Sequence, residues 1–254
     1  MKFSFKSNLT PFLALGAGIM GMAMRMVLYL VAQGPDGLLQ RNHILGILVW
    51  VLTAAVLAAL FLMTRKITGP EEYRDCYHPS LIGGIGAILA AAAMAITSAQ
   101  SAGGDNLTMI CNLLGYVCAA ALVAMGLCRF SGINGSFLLP SALCIYFAVR
   151  MICQYRSWSA DPQLQDYGFH LLACVSLMLT SYHHAAFGAD MGSHKKLWFF
   201  SLISVYFCAL SLAGPEEQLF YLGTGLWAFT NLTNLSPRRR RRRPLLNMDE
   251  PREE

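Results

Sequence analysis

Charge is scarce in this sequence. Only 13% of its 254 residues are Asp, Glu, Lys or Arg, against 56% hydrophobic. A water-soluble domain carries about a quarter charged residues, so this chain lacks the charge to cover a water-facing surface. Paired-cysteine motifs are missing too. The eight cysteines, Cys76, Cys111, Cys118, Cys128, Cys144, Cys153, Cys174 and Cys208, form no CxxC. Most lie in apolar runs, where a thiol behaves as a small hydrophobe. That spacing indicates neither a disulfide framework nor a zinc site. There is no HExxH, no GxSxG and no acidic pair inside an apolar run, and so no enzyme signature. A basic surface interleaved with aromatics is lacking as well, which argues against nucleic acid as a partner. No cofactor is indicated.

What the chain does have is long apolar runs, with a mean hydropathy of +0.48. Eight segments stand out: Pro11–Ala32, His43–Thr64, Leu81–Ser98, Met109–Cys128, Phe137–Gln154, Tyr167–Phe187, Leu197–Ala213 and Gln218–Leu235. A bilayer crossing takes about 20 apolar residues. Backbone groups without water must be satisfied internally, so the segments are expected to be helices. The expected fold is an all-α integral membrane protein with eight transmembrane helices. The first apolar run resembles a signal peptide in its basic start, but it is long, contains Arg25 and lacks a clear small-x-small cleavage site, so it is counted as a span.

Charge placement supports the count. With the N-terminus inside, cytoplasmic segments hold Lys2, Lys6, Arg65, Lys66, Arg74, Arg129, Lys195, Lys196, Arg238 to Arg243 and Arg252. External loops hold only Arg41 and Arg156, together with Asp36, Asp105, Asp161, Asp166, Glu216 and Glu217. Basic residues favour the cytoplasmic side, which puts both termini there and makes the chain a multi-pass protein of the cell membrane. The tail, residues 237–254, is polar and Pro-flanked and is expected to be disordered. Its arginine run would touch anionic lipid heads.

Arg25 breaks an otherwise apolar run, and the feature recurs. At an offset of 125, residues 9–40 match 134–165 at nine of 32 positions, among them Arg25/Arg150, Asp36/Asp161 and Gln40/Gln165. A two-residue shift aligns His43 with His170 and Thr53 with Thr180. The match fades beyond the first two helices of each half. It suggests two parallel four-helix repeats, 1–130 and 131–236, related by an axis along the membrane normal. Transporters often carry such repeats, with sites at their interface.

Arg25 lies seven residues before Ala32, roughly 10 Å below the outer helix end. Both arginines are on outward-running helices. Arg25, Arg150, His43, His170, Gln40, Gln165, Asp36 and Asp161 would then form a two-fold ring toward the external side. Three readings compete. The arginines snorkel to the interface; or they pair with aspartates and lock the halves together; or they clamp a carboxylate or phosphate bidentately. The expected function is a small-solute transporter or permease-like protein for an anionic ligand, non-enzymatic, working by rocking of one repeat against the other. The alternative is a non-catalytic accessory, structural or sensory membrane protein with the arginines as internal locks. A lock calls for ion pairs without free volume. A transporter calls for guanidiniums beside a water-accessible cavity.

Further signals have simpler readings. Gly16 to Gly21 spells GxGxxG but has no strand before it, so it reads as helix packing rather than a nucleotide site. Gly18, Gly21 and Arg25 share one helical face, and Leu143, Tyr146 and Phe147 of the other half could fill that groove. Tyr182-His183-His184 reads as interfacial or hydrogen-bonded. Thr53 and Thr180 could bond a solute, although a bond to their own helix backbone is commoner.

Overall fold

The computed structural model describes residues 3–32, 43–65, 79–101, 106–133, 135–159, 164–214 and 217–234. Each of the eight apolar segments corresponds to one helix: α1 (Phe3–Val31), α2 (Ile44–Arg65), α3 (Leu81–Gln100), α4 (Asn106–Ser131), α5 (Leu138–Trp158), α6 (Leu164–Gly188), α7 (His194–Ser211) and α8 (Gln218–Asn234). Most ends fall within a few residues of the expected ones. The exception is α1, which starts well before Pro11 and carries that proline inside it. Six helices, α1 to α6, are long and apolar enough to cross a bilayer, and the chain is accordingly a membrane-embedded, multi-pass protein.

Of the two shortest helices, α7 lies at the centre and α8 lies beside it, with Leu219 and Leu222 on an exposed face. α7 packs on α1, α2, α6 and α8, and α8 packs on α3 and α7. From Ser201 to Ser211 every residue of α7 is buried. These positions explain their weaker hydropathy. A helix face covered by other helices need not match lipid, so α7 and the buried face of α8 carry Ser201, Ser204, Ser211, Thr224 and Thr230 in the interior. Several of these hydroxyls donate to their own helix: Ser201 to the Leu197 carbonyl at 2.7 Å, Ser204 to that of Phe200 at 3.0 Å and Thr224 to that of Phe220 at 2.7 Å.

The sheath meets lipid with apolar side chains such as Phe12, Leu30, Ile44 and Phe61, all exposed. Where helices approach closely the residues are small, as expected when packing rather than water exclusion drives association. α3 buries Gly83, Gly84, Gly86, Ala87 and Ala90. A Cβ on Gly86 would lie 2.2 Å from the Thr230 hydroxyl, and one on Gly223 would lie 2.4 Å from Ala93 Cβ.

Helices that correspond in the sequence match do not share environments. α1 packs on α7 as well as on α2, whereas its counterpart α5 packs on α4 as well as on α6. The groove of Gly18 and Gly21 is also filled differently from the expectation. Its occupants are Tyr206, Ala209 and Leu210 of α7, not Leu143, Tyr146 and Phe147. Those three are buried within the core, with Tyr146 and Phe147 against Phe220. α7 reaches the glycines because it runs through the middle of the bundle.

Candidate functional site

A helix leaves its last four carbonyls without intrahelical partners. In α7, which ends at Ser211, Leu210 carries one of these. Arg25, on α1, donates from Nη1 to the Leu210 carbonyl at 2.9 Å and from Nη2 to the Tyr29 hydroxyl at 2.8 Å. Its guanidinium carbon is 4.8 Å from the centre of the Phe169 ring and 5.5 Å from that of Tyr29. The arginine is 2% exposed, so the snorkelling reading does not describe it. A cation at a helix C-terminus also meets the favourable end of the helix dipole.

α8 begins on the other side of the same connection. Glu217 immediately precedes it, and its carbonyl accepts from the Phe220 and Tyr221 amides at 3.0 and 3.3 Å. Its carboxylate is therefore at a helix N-terminus, where negative charge is stabilised. Arg150, on α5, places Nη2 2.6 Å from Glu217 Oε2. It donates from Nη1 to the Tyr146 hydroxyl at 2.8 Å, and its guanidinium carbon lies 3.8 Å from the centre of the Phe220 ring. Arg150 is 4% exposed. Glu217 retains 27% exposure of its side chain.

The two arginines thus grip the two ends of one connection. Arg25 holds the close of α7, and Arg150, through Glu217, holds the opening of α8. Polar side chains link the two grips. Gln154 Nε2 donates to Glu217 Oε2 at 2.6 Å and to the Tyr221 hydroxyl at 3.3 Å, while Gln154 Oε1 accepts from the Cys174 thiol at 3.2 Å. The Tyr221 ring packs against His170, 5.0 Å between centroids. His170 follows Phe169, the ring beneath Arg25. A Cβ on Gly214, in the connection itself, would lie 2.6 Å from His170 Nε2, so the imidazole supports the connection from below.

The structure accordingly brings together Arg25, Arg150 and His170, and adds Glu217, Gln154, Tyr146, Tyr29 and Tyr221. It places His43 elsewhere. His43 precedes α2, and its Nδ1 accepts from the Leu45 amide at 3.3 Å, so it caps a helix start and does not join the group. Asp36, Gln40 and Asp161 lie outside the described residues, as does the side chain of Gln165. The carboxylate found beside Arg150 is Glu217, which is 67 residues away in the chain. A sequence signal for the other partners did exist. Tyr29, Tyr146 and Gln154 are each four residues from an arginine, on the same helical face.

Two buried nitrogens in this group have no hydrogen-bond partner: Arg150 Nε and His170 Nδ1. The arrangement combines two guanidiniums, a carboxylate, an amide, a thiol and phenols. It can hold helices together, or exchange one carboxylate for another.

Polar chemistry also gathers at the opposite ends of the helices. Arg129, expected among the cytoplasmic loop charges, is 4% exposed at the end of α4. With His184 it lines a cavity of about 20 Å³, room for about one water. His183 stacks on Phe200 at 4.8 Å between centroids, and His184 is buried near Trp227. A cleft of about 380 Å³ between α2, α6 and α7 is lined by Trp50, Thr53, Leu57, Leu179, Phe200 and Phe207. Its one threonine is committed elsewhere: Thr53 donates to the Val49 carbonyl at 2.8 Å and lies 3.0 Å from the Tyr206 hydroxyl. Thr180 pairs with Ser204 at 2.7 Å. Neither arginine of the clamp lines either cavity. Among the described residues no group of three or more His, Cys, Asp or Glu is placed to hold a metal ion.

No protein-family model matches the chain, and comparison with curated proteins and with solved structures finds no match for it.

Proposed function

We propose that this chain is a non-catalytic membrane protein, an accessory or structural component, in which Arg25 and Arg150 are internal locks on the α7–α8 connection. One observation carries the reading: both guanidiniums are buried and engaged by groups of the protein itself, Leu210 and Tyr29 for one, Glu217 and Tyr146 for the other. The lock ties the outer ends of the sheath to the α7–α8 hairpin. All eight helices cross the membrane in this reading, with both termini cytoplasmic and the arginine tail against anionic lipid heads. Basic residues at each expected inner loop support that orientation. The duplication, as we propose it, is one of sequence and of the arginine's task; the repeats diverged in helix environment.

A second reading is kept by a specific feature. Arg150 Nε has no acceptor, and Glu217 is part-exposed at the end of a short connection. Glu217 then stands where the carboxylate or phosphate of a transported anion would bind, and transport begins with its displacement.

The deciding experiment is thermal unfolding of the purified protein with acetate, succinate, phosphate and chloride, beside the Arg25→Gln/Arg150→Gln variant. The lock reading expects no anion-specific rise in Tm and a much less stable variant. Stabilisation of the wild type by one anion, lost in the variant, would overturn it in favour of the transporter.

A further inference from the structure

α4 and α5 form an antiparallel hairpin joined by residues 132–137, and their far ends carry a cysteine each. Cys111 lies five residues from the start of α4 at Asn106, and Cys153 five residues from the end of α5 at Trp158. At 1.5 Å per residue both are roughly 8 Å from the helix ends. The Cys153 thiol is 3.8 Å from the Leu107 carbonyl. Leu107 is one turn before Cys111 on α4, and a helical side chain leans back over the turn that precedes it. The Cys111 side chain therefore leans over the same carbonyl that the Cys153 thiol reaches, which sets the two side chains beside each other. Both are free thiols in this structure. A second cysteine of α4 is engaged differently: Cys118 donates to the Ala142 carbonyl at 3.4 Å.

We propose that Cys111 and Cys153 are a disulfide-forming pair, a modification site that closes the open end of the α4–α5 hairpin beside Arg150. The chemistry is thiol–disulfide exchange with a disulfide oxidant. The thiolate of Cys153, the less buried of the two, attacks one sulfur of the oxidant, forms a mixed disulfide and releases one thiol. Cys111 then attacks the Cys153 sulfur and releases the second. Two protein thiols are oxidised by two electrons, one oxidant disulfide is reduced to two thiols, and the two protons lost by the cysteines balance those gained. The bond would fix the segment of α5 that bears Arg150 and Gln154, because Cys153 directly precedes Gln154.

The test treats the purified full-length protein with 4,4′-dithiodipyridine, a small apolar disulfide, then alkylates remaining thiols and maps peptides by mass spectrometry. The expected product is a Cys111–Cys153 linked peptide, reversed by dithiothreitol and lost in Cys153→Ser. A stable thiopyridine adduct on Cys153 with Cys111 alkylated would overturn the proposal, as would a mixture of links to Cys118 and Cys144 in equal amount. The wild-type peptide map decides the question even where the serine variant fails to fold. Its outcome depends on neither membrane orientation nor the lock reading, so failure here leaves that reading intact.

Discussion

Arg25 satisfies the Leu210 carbonyl across 185 residues of chain, at 2.9 Å. A cation from the first helix thereby caps the seventh. The contact matters because a buried carbonyl at a helix end has no water to turn to, and because the guanidinium also needs the Tyr29 hydroxyl and the Phe169 face. Planarity lets one group serve all three.

Lysine cannot reproduce that geometry. Arg25→Lys is expected to lose about 1.5–3 kcal/mol, the scale of a hydrogen bond to a charged group, and Arg25→Met no less. Thermal unfolding in detergent measures it, and equal stability of the lysine variant would mean that charge alone matters at this position.

Glu217→Gln leaves Arg150 buried without its counter-charge. Breaking a fully buried pair costs about 3–5 kcal/mol; the part-exposed carboxylate lowers this to roughly 2 kcal/mol here. Removing both charges together, as Arg150→Met/Glu217→Leu, should cost less than the sum of the single changes. A double-mutant cycle with no coupling would show that the pair does not act as a lock.

Gly16 and Gly18 are two residues apart in the same GxGxxG string. A Cβ on Gly16 meets nothing within 4 Å, whereas one on Gly18 lies 2.7 Å from Ala209 Cβ and 3.2 Å from the Tyr206 carbonyl. Gly16→Ala should stay within about 1 kcal/mol of wild type. Gly18→Ala should lose about 1–3 kcal/mol by overpacking α1 against α7. The contrast is read from paired melting curves; equal effects would refute the packing role.

The helices were legible because hydropathy is a local property. Segments as weak as Leu197–Ala213 and Gln218–Leu235 are helical where expected, and the weakness has a tertiary cause, the burial of α7 and of one face of α8. The arginines were legible as anomalies within apolar runs. Their partners were not. Glu217 reads in sequence only as an external acid, since nothing local ties it to Arg150. Arg129 reads as a loop charge because the residues that cover it come from other helices. His43 aligns with His170, yet one caps α2 and the other is buried behind Gly214. The surroundings of aligned residues depend on which helix the bundle places next to them.

The central position of α7 also has a temporal side. Chains are made from the N-terminus at about 5–20 residues per second. The Leu210 carbonyl therefore emerges roughly 10–40 s after Arg25. Throughout that interval the first helix carries a charge whose final acceptor does not exist, and its long side chain must reach toward the membrane surface for solvation. The sheath is synthesised before the centre it encloses, and Arg25 must turn inward when α7 arrives. In the eight-span topology we propose, the last hairpin joins helices made before it, and two waiting cations meet the ends of that hairpin.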